Sequence, residues 1–272
     1  MTDLADREWR LIREEARSGP MNMALDEVAA RTAADGGPRT VRVYAWAPGT
    51  LSLGYAQDPA TVDWSSCRRR GIDTTRRPTG GGGIYHDRHG DISYAVIVRA
   101  DEVPGDLARS YRLLLAPLLA ALDDLGLDAD FADAAAPALY EPACYLRALD
   151  PAHDLVAGGR KLCGNAQHRT RSAVVQHGSL SYALDPETHL ATFSDPGVTP
   201  DEFRDRVTSV RRAVGVDRDE TVAALEGALA DWADASPGAW TDAELSAARE
   251  LADRRYGDEA WVRHREDAGA EP

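Results

Sequence analysis

The sequence predicts an α+β protein: a mixed or antiparallel sheet flanked by helices, with a small helical appendage at the C-terminus. Three observations carry that reading. Short alternating runs of apolar and polar residues recur between Thr40 and Ala183. A single long helical stripe, with leucines from Leu107 to Leu125, interrupts them. Beyond the turn-rich stretch Asp195 to Pro200 the periodicity is helical only. A boundary is expected there, dividing residues 1–195 from an accessory region, 196–272.

Taken in order, Pro20 to Ala34 sets Met23, Ala24, Glu27, Val28 and Arg31 at helical spacing, and Gly36-Gly37-Pro38 stops it. Thr40 to Trp46 alternates as a strand, with Arg42 and Tyr44 on one face that reads as solvent-exposed. Pro48-Gly49 turns the chain into a second strand, Thr50 to Tyr55. A short helix, Thr61 to Arg70, ends at Gly71, and the strand Asp73 to Arg77 follows. Gly83 to His86 and Ile92 to Val98 read as paired strands joined by the turn Asp87 to Asp91. Pro104 to Gly126 is the helical stripe, which Pro117 is expected to kink or break, and Leu127 to Phe131 returns as a strand. The stretch Ala134 to Pro142 is irregular. Asp154 to Ala157 and Arg160 to His168 form a hairpin about Gly158-Gly159, placing Lys161 just after the turn. Ser172 to Ala183 is a strand with Gln176 and Gly178 on one face, His177 and Ser179 on the other. Helices are expected at Asp201 to Val214, Thr221 to Ala233 and Thr241 to Tyr256, the last opening on the capping box TDAE.

Composition narrows the function. A chain of 272 residues can bury a substantial core, and no run of about eighteen apolar residues suggests a membrane span. The start, MTDLADREWRLIREEA, is charged throughout and lacks the apolar region of a secretory signal, so a cytoplasmic protein is expected. A net charge of −14 argues against nucleic acid as the partner. Three cysteines, Cys67, Cys144 and Cys163, have no CxxC spacing, which argues against disulfides and a zinc site. No HExxH or close His/carboxylate pair indicates a metal centre. Among 31 basic residues, Lys161 is the only lysine. A compact ammonium differs most from a broad guanidinium where one cation must reach one oxygen, so arginine would not serve there.

The stretch RRPTGGGGIYHD, Arg76 to Asp87, is the most informative. Four glycines, Gly80 to Gly83, suit a backbone that lies against a ligand with its N–H groups free to donate, and Arg76 and Arg77 add forks that fit phosphate or carboxylate. It is neither a P-loop nor a dinucleotide fingerprint, because GxxxxGK[ST] is absent and the glycines are contiguous. Together with Thr79, His86, Lys161, Asn165 and Gln167 it makes a site for an acyl group activated as a phosphate anhydride, where charge builds on carbonyl and phosphate oxygens. No GxSxG elbow or Ser/His/Asp order can be read.

With GRKLCGNAQ and QHGSL downstream, and NMALDE, LSLGYAQ and ELADRRYGDEAW elsewhere, this stretch resembles the lipoate–protein ligase and octanoyltransferase family, which shares the biotin/lipoate ligase catalytic fold. The GRGRxG loop of the biotin branch is missing. The resemblance implies an enzyme that places a lipoyl or octanoyl group in amide linkage on a lysine of lipoyl domains, in 2-oxoacid dehydrogenases or the glycine cleavage H protein. By motif position it implies that Arg77, Thr79, Gly80, Gly81, Gly82 and His86 line the acyl pocket, and that Lys161 holds the acyl carbonyl and phosphate oxygens. Cys163 falls where a small packing residue is expected.

Two routes stay open. In a ligase, ATP with Mg and free lipoate or octanoate give an acyl-adenylate that the target lysine attacks; HDLV at His153 resembles the NDLV of such enzymes. In a transferase, which needs no cofactor, Cys144 carries the acyl chain as a thioester taken from acyl carrier protein; the segment ACY resembles that branch. The ligase is the first expectation. A buried inert Cys144, and a non-catalytic paralogue that binds lipoyl compounds, are the remaining alternatives.

Overall fold

Eight strands form the main sheet of the computed structural model, which describes Leu4 and residues 7–266. In chain order these and the other strands are β1 (Trp9–Arg17), β2 (Arg39–Trp46), β3 (Thr50–Leu53), β4 (Asp73–Arg76), β5 (Ile84–His86), β6 (Asp91–Arg99), β7 (Ala129–Phe131), β8 (Leu155–Ala157), β9 (Arg160–Arg169), β10 (Ala173–Ser181) and β11 (Ser236–Pro237). The main sheet runs β11-β1-β2-β6-β10-β9-β8-β7, with β1 parallel to its two neighbours and every other pair antiparallel. A separate three-stranded sheet, β4-β3-β5, stands beside it.

That division corrects the expected pairing of Gly83–His86 with Ile92–Val98. β5 pairs with β3, setting His86 opposite Thr50, while both edges of β6 are occupied by β2 and β10. Asp87 makes the change of sheet possible: its carboxylate accepts from the N–H groups of His89 (2.9 Å) and Gly90 (2.7 Å), folding the connection into a side-chain-capped turn.

The helices are α1 (Gly19–Ala34), α2 (Trp64–Arg70), α3 (Leu107–Asp124), α4 (Pro186–Leu190), α5 (Pro200–Arg206), α6 (Val210–Val214), α7 (Arg218–Ala233) and α8 (Asp242–Leu251). Strand alternation in the main sheet sorts the four longest onto two faces. Val41, Val43, Tyr94, Val96 and Val174 pack against α3 and α7, whereas Tyr44, Trp46, Ala95, Ile97 and Val175 pack against α1 and α8. After residue 196, α6 and α7 join the first of these cores and α8 the second, while Phe203 of α5 packs with Leu51, Leu53 and Ile84 of the small sheet. α3 runs through Pro117 without a break; packing of Leu114, Leu115 and Leu118 offsets the single hydrogen bond that proline removes.

The expected helix Asp201–Val214 is two, interrupted where Val207 bridges to Lys161 and the Thr208 N–H donates to the Lys161 carbonyl (2.9 Å). The last expected helix, Thr241 to Tyr256, is α8 followed by a wider π turn, Ala252–Tyr256. β1 has no counterpart in the sequence reading, because its charge density conceals the buried Trp9, Leu11 and Ile12. Arg10 in that strand is buried too, in a fork with Glu244 at 2.9 and 2.6 Å.

Arg42 also departs from expectation. It is fully buried, not solvated: Nη1 lies 3.2 Å from Asp26 Oδ1, Nη2 donates to Asn22 Oδ1 at 2.8 Å, and the guanidinium sits 3.9 Å over the Tyr44 ring. It ties β2 to the NMALDE segment of α1. No described helix is long and apolar enough to cross a membrane.

Candidate active site

A cavity of about 490 Å³ opens between the two sheets. Trp46, Tyr44, Met23, Ile84 and Leu149 give it an apolar floor, and Gly80, Gly81, Arg77, His86, Cys144, Lys161 and Asn165 bring polar groups to the same space.

The two arginines part company because adjacent strand residues face opposite sides. Arg77 turns inward: Nη1 donates to the Ser52 carbonyl (2.7 Å) and hydroxyl (3.0 Å), and Nη2 to the carbonyls of Gly80 (3.0 Å) and Gly82 (2.7 Å). It braces the glycine loop from within. Burial lowers its pKa, against the opposing pull of Cys144. Arg76 turns away from the cavity, which corrects its expected place among the substrate contacts. Its guanidinium donates to the carbonyls of Gly54 (2.8 Å), Tyr55 (2.9 Å), Gln57 (2.9 Å) and Val262 (2.8 Å), and burial pulls its pKa to about 10.

Thr79 lies behind the wall, where its hydroxyl meets His177 Nε2 at 3.0 Å; His177 itself faces the cavity. Gly82 faces the segment that carries Cys144. A Cβ there would stand 2.6 Å from the Pro142 oxygen and 2.9 Å from the Cys144 nitrogen, so only glycine fits. The next N–H, that of Gly83, donates to Pro142 O, and the Cys144 N–H donates to Gly83 O, both at 2.7 Å. The Gly83 donor is therefore used within the fold instead of being free for a ligand.

His86 stacks on Trp46, centroids 3.9 Å apart and planes 12° apart. Its Nδ1 lies 3.0 Å from Asp91 Oδ2 and its Nε2 2.8 Å from the Ser52 hydroxyl, while Asp91 also accepts from Ser93 (2.6 Å) and Ser179. A Ser52–His86–Asp91 chain thus exists in space although its order carries no known motif. Burial keeps the His86 pKa below its ordinary value, which favours a neutral ring that accepts from Ser52 and donates to Asp91.

Lys161 extends from β9 just past the Gly158-Gly159 turn and is 2% exposed. Its Nζ lies 2.8 Å from Asp154 Oδ1 and 3.0 Å from the Cys144 carbonyl oxygen. Burial alone would depress its pKa, but the charges of Cys144 and Asp154 outweigh it and raise the value, keeping the amine an ammonium. Against burial, His153 and Lys161 in turn hold the Asp154 carboxyl below its ordinary range.

Cys144 begins a short 3₁₀ turn, Cys144–Leu146, half-buried with its side chain at the cavity. The close fit reaches β9: a Cβ on Gly164 would stand 3.1 Å from Cys144 Sγ. The other thiols are elsewhere. Cys163 is fully buried and burial raises its pKa well above the ordinary value, and Cys67 is pushed to about 11 by burial. Asn165 Oδ1 accepts from Tyr94 (2.6 Å) and Nδ2 donates to the His153 carbonyl (2.8 Å), so Asn165 fixes the rim. Gln167 is remote, bonded to Arg169 and Ser110. Ser52, Asp154, His177 and Ser179 were given no role in the sequence; their signal is membership of the quoted segments LSLGYAQ, HDLV and QHGSL.

The chemistry on offer is a thiol and a fixed ammonium lining one cavity with an apolar floor. A cavity so lined can take an aliphatic chain with a polar end.

Comparison with known proteins identifies the family and the fold. Residues 18–231 match the lipoyl protein ligase A/B catalytic domain. The chain is 34% identical to the octanoyltransferase LipM of Symbiobacterium thermophilum, over 93% of this chain and 97% of that protein. It superposes on lipoate-protein ligase A bound with ATP at a TM-score of 0.78 and 28% identity, covering 94% of this chain and 98% of that one. An archaeal bi-partite lipoate protein ligase, studied with its E2 lipoyl domain from Thermoplasma acidophilum, gives 0.78 at 25% identity, over 94% and 96% of the two chains. Because the matched span takes in the glycine loop, the thiol and the ammonium alike, the chain belongs to the lipoyl protein ligase A/B catalytic family and is an enzyme with the biotin/lipoate ligase catalytic fold.

Proposed function

We propose that this enzyme moves an octanoyl or lipoyl group from a carrier-protein thioester to a lysine of a lipoyl domain, through a thioester on Cys144. The observation that carries the proposal is the position of Cys144: its side chain faces the acyl slot while its carbonyl oxygen accepts from Lys161. The likeness to an octanoyltransferase supports the same choice over the ligase.

In the first half-reaction the Cys144 thiolate adds to the donor carbonyl. The C–S bond to the donor breaks, its thiolate leaves and takes up a proton, and acyl-Cys144 remains. In the second, the neutral amine of the acceptor lysine attacks that carbonyl, loses a proton, and expels the Cys144 thiolate as the amide forms. Lys161 contributes positive charge beside both the thiolate and the carbonyl oxygen as it becomes anionic, and Asp154 keeps it aimed. The Trp46–His86 stack and Ile84 line the alkyl chain's path and exclude water.

An ATP-dependent ligase is the second reading, favoured by the ATP-bound structural relative and by two cations, Arg77 and Lys161, at one cavity. Mass spectrometry of a lipoyl domain separates the two. With Cys144→Ala, transfer from octanoyl carrier protein should stop and the acylated enzyme should vanish. Undiminished acylation from ATP and lipoate by that variant, with no transfer by the native enzyme, would reverse the assignment.

A further inference from the structure

We infer that Arg206, Arg211 and Arg212, joined to the cavity rim through Arg147, form the docking surface for the acyl donor, an acidic carrier protein whose thioester sits on a flexible phosphate-bearing arm. This rests on the thioester route above.

The chain carries 45 acidic against 31 basic residues, so a cluster of arginines outside any ion pair runs against its average. Two neighbouring arginines are matched to carboxylates: Arg147 to Glu141 at 3.1 Å, and Arg204 to Glu187 at 2.6 Å and Asp201 at 3.1 Å. Among the described residues, no carboxylate stands within ion-pair distance of Arg206, Arg211 or Arg212. Arg206 uses Nη2 on the carbonyls of Arg147 (2.8 Å) and Pro137 (3.2 Å), yet its buried Nε has no partner. Arg211 and Arg212 are exposed on α6, and Arg212 Nη1 reaches the Arg204 carbonyl at 3.2 Å.

An open groove lined by Arg204, Ser209, Arg211 and Arg212 extends this surface. The α5–α6 connection is hydrogen-bonded to Lys161 through Thr208, and Arg147 lines the cavity itself. The arginine surface is therefore linked to the cavity lining through the Arg206–Arg147 hydrogen bond. A partner seated there would lay its anionic face on the arginines and send its arm past Arg147 toward Cys144. Complementary charge of this kind acts mainly on encounter, and salt weakens it.

The test uses the full chain with Arg211→Glu and Arg212→Glu combined. Formation of acyl-Cys144 from octanoyl carrier protein should fall about tenfold or more in kcat/KM, with a flatter dependence on salt. Acylation by octanoyl-pantetheine, which brings no protein, should be unchanged, as should transfer from preloaded enzyme to a lipoyl domain. Equal loss with octanoyl-pantetheine, loss confined to the lipoyl-domain step, or no loss would each overturn the assignment. If native enzyme forms no acyl-Cys144 from either donor, the thioester route fails and the surface assignment falls with it.

Discussion

The ammonium of Lys161 donates to the carbonyl oxygen of Cys144 at 3.0 Å while Asp154 holds it from the other side at 2.8 Å. One cation therefore orders both the thiol-bearing segment and a buried carboxylate. Lys161→Ala should lower acyl transfer by about 10²-fold or more, as loss of a charge-stabilising donor does. Lys161→Arg should not restore it, since a planar fork cannot occupy the place of a compact ammonium. Initial rates with octanoyl carrier protein check both; unchanged turnover would remove Lys161 from the mechanism.

Structure and chemistry separate at that pair. Lys161→Met leaves Asp154 buried without its cation and should cost about 3–5 kcal/mol of stability. Adding Asp154→Leu should recover much of that loss without recovering turnover. Denaturant unfolding measured beside activity checks the difference; a double variant as unstable as the single one would contradict it.

Gly82→Ala should both destabilise and inactivate. The new methyl meets the Pro142 carbonyl and the Cys144 nitrogen, so the glycine loop and the thiol segment must separate. Overpacking of this kind costs about 1–3 kcal/mol. The rate of acyl-enzyme formation should fall at temperatures where circular dichroism still reports a folded chain.

Acid should weaken the fold through His189. Burial among Tyr145, Phe193 and Phe203 pulls its pKa to about 3 from the ordinary 6.5. Between those values the unfolded chain binds a proton that the folded chain refuses, so stability is full above 6.5 and falls with pH by about 1.4 kcal/mol per unit. His189→Phe removes a buried ring nitrogen that has no partner and should flatten the decline. Urea midpoints from pH 7 to pH 4 test this; parallel curves for the two proteins would refute it.

Much of the architecture is legible in the sequence because alternation marks β2, β6, β9 and β10, and helical spacing marks α1 and α3. Lys161 stands out by composition alone, and the hairpin glycines beside it fix where it emerges. What escaped depends on partners far along the chain. Nothing local distinguishes Arg76 from Arg77, since one answers to Val262, 186 residues away, and the other to its own loop. Arg42 reads as a surface cation until Asn22 and Asp26 of α1 are laid over it. The Ser52–His86–Asp91 chain spans both sheets, so neither strand pattern contains it.

The Pro142–Cys144 segment is stitched to the small sheet at Gly83 and to the main sheet at Lys161. Thiol, amine and glycine loop consequently have no common owner among the secondary-structure elements, and hydrogen bonds between three segments hold them together. Loosening any one of those seams should therefore displace all three groups together.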